Sequence, residues 1–233
     1  MMKPENIDIK DLEKEQIRLS SKINLKDKIP PQKVKLVAGV DVTFTNIWTN
    51  PTTSIACITV FDIDTFELKD IVYAEKKIDF PYIPTFLAYR ELPVILEAYK
   101  KLKIKPDVFL IDGQGILHPR MMGIASHFGV VTDEVSVGVA KSKLVGNFKE
   151  PENKKFSAKP IYIDKQLRGY AVRTRKNSKP LFISPGNNIS VDSAVKVAIR
   201  SIKGDYKLPE PIRTAHNSLQ EYRKNLLKKK YKS

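Results

Sequence analysis

Residues 8 to 23 repeat Ile9, Leu12, Gln16, Leu19 and Ile23 at helical intervals among charges, which predicts an amphipathic helix lying on the body of the protein. Pro30 and Pro31 end that pattern, and residues 34 to 44 then form a run rich in β-branched side chains, a strand with Asp41 inside its apolar part. Two more strand-like runs, 54 to 62 and 67 to 79, follow across short connections, so an antiparallel meander of three strands is expected. Phe80, Pro81, Tyr82, Ile83 and Pro84 make a stiff loop, and Pro84 suits the first position of a helix. In that helix Phe86, Leu87, Leu92, Ile95, Leu96 and Tyr99 form the apolar stripe. Glu91 stands four residues from both Leu87 and Ile95 and shares their inward face, with a kink expected at Pro93.

Further on, an apolar strand stops at Asp112, where Gly113 and Gly115 let the backbone come close to a ligand. Residues 119 to 129 read as a helix, 134 to 140 as a buried strand, and 184 to 188 as a turn. Ser190 is a good N-cap for a helix to about residue 202, and residues 208 to 211 read as an extended connector. Strands, helix, strand, helix and strand in this order imply an α/β fold, a mixed central sheet flanked by helices. One domain over residues 1–218 with a basic tail at 219–233, frayed or disordered, is the expected organisation.

Charge changes the picture next. A formal net charge of +15 asks for a polyanionic partner, because that excess of Lys and Arg repels itself unless phosphates offset it. Twelve Lys or Arg stand against three acids between Lys141 and Pro180, and Tyr162, Tyr170 and Arg173 are interleaved there, suggesting a basic face. General surface basicity is the plainer alternative. The single cysteine, Cys57, lies in an apolar run, reads as core and suits a reducing cytoplasm. No apolar run reaches the ~20 residues that span a bilayer, so no membrane partner is expected.

Three acids stand out by context: Asp41 inside a strand, Glu91 on an inward helix face and Asp112 at a strand end. Mg²⁺ takes a few hard oxygen ligands from protein, and carboxylates brought together from separate elements meet that need. Each acid also has a bland reading: Asp112 as a turn cap, Glu91 paired to Arg90 on a solvated edge, all three as unrelated ion pairs. No phosphate-cradling Gly-x-x-x-x-Gly-Lys loop is present, and three histidines with one cysteine make no zinc pattern. His127 reads as a packing residue of its helix.

The stretches around Asp41, Phe80 to Pro84, Tyr89 to Pro93, Ile111 to Arg120, Ala125 to Gly129, Gly138 to Lys141 and Leu208 to Pro211 together resemble endonuclease V, the deoxyinosine 3′-endonuclease family. The likeness runs in order from about residue 8 to His216. It implies an RNase H-like fold and Mg²⁺-dependent nicking, with Mn²⁺ as a substitute, of DNA holding a deaminated base, chiefly hypoxanthine. The implied cut is at the second phosphodiester bond 3′ to the lesion, leaving 3′-hydroxyl and 5′-phosphate ends. By position Asp41, Asp112 and Glu91 would hold the metal, His216 would assist beside it, and Lys141 would meet the scissile phosphate. Pro81, Tyr82, Ile83 and Pro84 would form the wedge, and Gly113, Gly115, Leu117, His118 and Gly138 the pocket for the turned-out base. Thr85 replaces the family's usual glycine, and Gln114 and Asn188 depart from its usual basic residues. A cytoplasmic monomer acting on inosine-containing DNA is expected; inosine-containing RNA, or binding without catalysis, are the alternatives.

Overall fold

The meander forms as expected in the computed structural model, which describes residues 8–230. Strands β1 (Leu36–Phe44), β2 (Thr52–Asp62) and β3 (Leu68–Ile78) pair antiparallel in sequence order. The chain then crosses back through α2 (Leu87–Tyr99) and lays β4 (Val108–Ile111) parallel to β1 on its free side. All four β4 residues are buried, which is why this strand reads as a continuous apolar run instead of an alternating one. After α3 (Ile124–Thr132), β5 (Ser136–Ala140) adds parallel to β4. Strands β6 (Ser157–Ile163), β7 (Gln166–Arg173) and β8 (Leu181–Asn187) complete an eight-stranded sheet in the order β3-β2-β1-β4-β5-β8-β7-β6.

Both faces are covered. Helices α2 and α3 bury Ala88, Leu92, Ile95 and Phe128 against Val40, Ile58, Phe109 and Ile111. Helix α4 (Val191–Arg200) covers the opposite face around Val137, Leu181 and Ile183, and α5 (Glu210–Lys230) covers Ile55 and Cys57. Helix α1 (Ile9–Ser20), capped by Asp8, is strapped to the body through Arg120, which donates to Gln16 Oε1 (2.5 Å) and Glu13 Oε1 (3.0 Å). Gly39 lets α5 touch β1 directly: a Cβ there would lie 2.1 Å from the Pro211 carbonyl carbon and 2.3 Å from Ile212 N.

Several local expectations are corrected. Pro84 is not the first residue of α2, because Thr85 takes a left-handed φ of 70° and the helix starts only at Leu87. Residues 119 to 123 are loop, since Pro119 and a left-handed Met121 (φ 56°) delay α3 to Ile124. Residues 184 to 187 belong to β8 and not to a turn; Pro185 is accommodated beside the register shift at Ser136/Val137. The stretch 208 to 211 includes the first turn of α5, where Pro211 lacks only an N–H that would have had no helical acceptor. Helix α5 runs unbroken to Lys230, with Leu219 buried and Tyr222 stacked on Tyr73 at 4.8 Å, so part of the stretch assigned to the tail packs on the sheet; residues 231 to 233 lie outside the described residues. Arg173 is not on a basic face: it is buried and donates to the carbonyls of Pro151, Glu152 and Ser178 and to Glu150.

Candidate active site

The last paired residues of the parallel β1–β4 ladder are Val40 and Ile111, so Asp41 and Asp112 are the next residues on adjacent strands. Asp112 N donates to Val40 O at 3.0 Å, and strand spacing of about 4.8 Å sets the two acids side by side. His216, carried by α5 from the opposite face to α2, has Nδ1 2.8 Å from Asp41 Oδ2. Glu91 comes from α2 on the other face and feels the charge of both aspartates. Lys141, one residue past β5, donates to Asp112 Oδ2. The five residues singled out as catalytic therefore meet at the ends of the central strands. Glu91 is not paired with Arg90 on a solvated edge, because Arg90 is buried and donates elsewhere, to Phe80 O (3.0 Å) and Ile47 O (3.3 Å).

Crowding three carboxyl groups has an electrostatic consequence. Burial and the charge of Asp112 push the Asp41 carboxyl up to about 6, against the opposing pull of His216 and Lys141. Burial, and then Asp41 and Asp112, hold Glu91 well above the ordinary glutamate range. Among the described residues no group of three or more His, Cys, Asp or Glu side chains is placed so that it could hold a metal ion together. Two or three hard oxygen donors under mutual repulsion, leaving other positions to water or phosphate, nonetheless suit Mg²⁺, which keeps much of its coordination outside the protein.

Beside the acids lies a cavity of about 300 Å³ lined by Tyr82, Asp112, Gly113, Gln114, His118 and Lys141 among others. Tyr82, 66% exposed, is on its rim, and the buried Oε1 of Gln114 has no hydrogen-bond partner among the described residues. Of the residues assigned to a base pocket, Gly113 and His118 line this cavity; Gly115, Leu117 and Gly138 lie behind it. A Cβ on Gly138 would sit 2.2 Å from Gly115 N, and one on Gly115 2.1 Å from Pro185 O, so these glycines let the loop after Asp112 press against β5 and β8. Leu117 packs with Ile161 and Phe182 in the core. Met122, Gly123 and Ile124 also line the cavity, and a helix assigned from residue 119 hid them. The available signal was Pro119 and Gly123 bracketing three residues.

Thr85 and His118 form the far wall. The left-handed φ of Thr85 explains why glycine is the easier residue there. Its carbonyl accepts from Gln16 Nε2 (3.0 Å) and lies 2.8 Å from His118 Nε2, and its hydroxyl accepts from Arg120 (2.7 Å). Asn188 is structural, its amide donating to Asp133. Because His118 Nδ1 accepts from Arg120 N, its ring is the neutral Nε2–H tautomer, and burial pushes its pKa down to about 4 from 6.5. The unfolded chain protonates this ring below 6.5 and the folded one only near 4, so its contribution to stability is complete above 6.5 and lost as pH falls between those values. His118→Gln is expected to remove about 2 kcal/mol of the stability change between pH 7 and pH 5, read as the difference between the two proteins in urea unfolding.

An RNase H-like sheet with carboxylates at the ends of adjacent central strands, a lysine on one of them and a rim aromatic defines a nuclease. Residues 17–217 match the family model for endonuclease V, and the chain belongs to that family. It is 44% identical over 201 residues to endonuclease V of Dictyoglomus turgidum, covering 86% of this chain and 85% of that one. The crystal structure of the Bacillus subtilis endonuclease V superposes with a TM-score of 0.89 at 36% identity, over 98% and 97% of the two chains. Endonuclease V of Ciona intestinalis, solved with a 24mer DNA containing an inosine followed by a ribo-adenosine, superposes at 0.78 with 27% identity over 95% and 98%.

Proposed function

We propose that this protein is a Mg²⁺-dependent repair endonuclease that nicks DNA at the second phosphodiester bond 3′ to a deaminated base, chiefly hypoxanthine. The observation that carries it is the meeting of Asp41, Glu91 and Asp112 beside a cavity with Tyr82 on its rim. Mg²⁺, or Mn²⁺ in its stead, held by Asp41 and Asp112 with Glu91 bound directly or through water, would supply charge neutralisation and a Lewis acid at the phosphate. Everything else falls to the chain. Lys141 meets the phosphate as a point charge. With Nδ1 committed to Asp41, Nε2 of His216 is the nitrogen left to take or give a proton. Water attacks phosphorus, the P–O3′ bond breaks, and the departing oxygen gains a proton, giving 3′-hydroxyl and 5′-phosphate ends. Pro81, Tyr82, Ile83 and Pro84 fill the gap in the stack, while the cavity with Gly113 and His118, backed by Gly115, Leu117 and Gly138, takes the base. One catalytic domain to residue 218, followed by the basic tail, works as a cytoplasmic monomer. No described helix is long and apolar enough to cross a membrane.

The ribo-adenosine in the Ciona complex favours inosine-containing RNA as the second reading. Matched DNA and RNA strands carrying one inosine, incubated with Mg²⁺ or EDTA, separate the readings. The proposal expects a metal-dependent product from the DNA strand, cut one nucleotide beyond the lesion's own 3′ linkage. Binding without any metal-dependent product would leave only a nucleic-acid-binding module.

A further inference from the structure

Outside the acids, Arg90 joins two loops at the site end of the sheet. The β1–β2 hairpin, residues 45 to 51, leaves β1 at the end where Asp112 leaves β4. At its tip Trp48 is 89% exposed, the most exposed large apolar side chain described, with Ile47 beside it at 51%. An isolated exposed aromatic would mean little. This one is built into the frame of the proposed wedge. One guanidinium, stacked 4.6 Å over Phe44, donates both to Ile47 O and to Phe80 O. Asn50 Nδ2 donates to Asp79 O at 2.6 Å, and Thr52 faces Ile78 across the β2–β3 ladder. Trp48 N itself donates to Asn46 Oδ1, so the tip is held in a turn. Trp48 and Tyr82 are thus two exposed rings, each one or two residues from a carbonyl gripped by the same buried cation.

The surroundings carry several cations beside the exposed Asp79. Arg223 of α5 donates to Thr45 O at the foot of the hairpin, and Lys224 and Lys228 on the same helix are exposed. Lys77, also exposed, faces Thr53 of the hairpin's second strand. Aromatic rings interleaved with Lys and Arg are the means by which protein surfaces take bases while tracking phosphates, and each base stacked on a ring is worth about 1–3 kcal/mol.

We infer that Trp48 is a second stacking contact, placed by Arg90 at a fixed offset from Tyr82, that engages a base of the DNA flanking the lesion. It rests on the nucleic-acid reading above and extends it beyond the wedge. Trp48 is the chain's single tryptophan, so emission excited at the red edge, where tyrosine does not absorb, reports on the surroundings of this ring alone.

The test is a titration with an inosine-containing duplex, Ca²⁺ replacing Mg²⁺ to suppress cutting, followed by tryptophan emission and by anisotropy of a labelled strand. Emission should be quenched in step with binding. Trp48→Ala should weaken the complex about tenfold and Trp48→Phe less, both with an unchanged melting temperature. A saturated complex with the emission of the free protein overturns the inference, as does an absence of any complex or an unaltered affinity in Trp48→Ala. Nicking assays with Mg²⁺ on the same duplex keep the two readings apart. Nicking without quenching removes Trp48 and spares the nuclease, whereas quenching without nicking does the reverse.

Discussion

Replacing Asp112 with Ala is expected to lower nicking of an inosine-containing strand by about a thousandfold or more, several kcal/mol of barrier, while the protein stays folded. The loss in rate follows from position. Asp112 is in register beside Asp41 at the end of a wholly buried strand, and its carboxylate is also the acceptor for Lys141. Removing it takes away a hard oxygen donor and frees the lysine that is proposed to meet the phosphate. The spared fold follows from electrostatics. Asp112 raises both Asp41 and Glu91, so its removal relieves repulsion in the metal-free protein. The ion pair with Lys141 is partly open to solvent and offsets little of that gain. Thermal unfolding without metal should therefore give a melting temperature at or above the wild-type value. A variant that still cuts at full rate would sink the assignment of this carboxylate.

What could be read from the residues, and what could not, divides along local and non-local lines. The meander, the inward face of Glu91 and the Ser190 cap rest on periods of two or 3.6 and on a capping side chain, all set within a few residues; Ser190 Oγ does accept from Ser193 N. Strand order does not work that way. Nothing near β4 says that it inserts beside β1, and that insertion makes neighbours of Asp41 and Asp112, 71 residues apart in the chain. Their pairing was legible only through the motifs of the family resemblance. Arg173 and Arg120 were opaque for a related reason: a basic residue in a basic chain looks solvated until its distant acceptors, backbone carbonyls in one case and α1 side chains in the other, are known. Prolines misled in both directions. Pro84 lies outside the helix because Thr85 turns left-handed, and Pro185 lies inside a strand because the ladder shifts register next to it.

Gly39→Ala is expected to cost about 3 kcal/mol or more, lowering the melting temperature by roughly 10 °C, and to reduce nicking about 10- to 100-fold in the protein that remains folded. The added methyl would meet backbone, the Pro211 carbonyl carbon at 2.1 Å and Ile212 N at 2.3 Å, and backbone cannot rotate aside as a flexible side-chain end can. Relief requires the start of α5 to lift from β1. His216 rides on that helix a turn and a half further on, and its Nδ1 touches Asp41, so the lift is transmitted to the acidic cluster. Gly204→Ala separates this clash from the ordinary penalty of replacing glycine. Its φ is +53°, yet a Cβ there meets nothing within 4 Å. That variant should lose about 1 kcal/mol and nick normally. If unfolding and nicking assays gave the two variants the same small loss, the close approach of α5 to β1 would not be what seats His216 on Asp41.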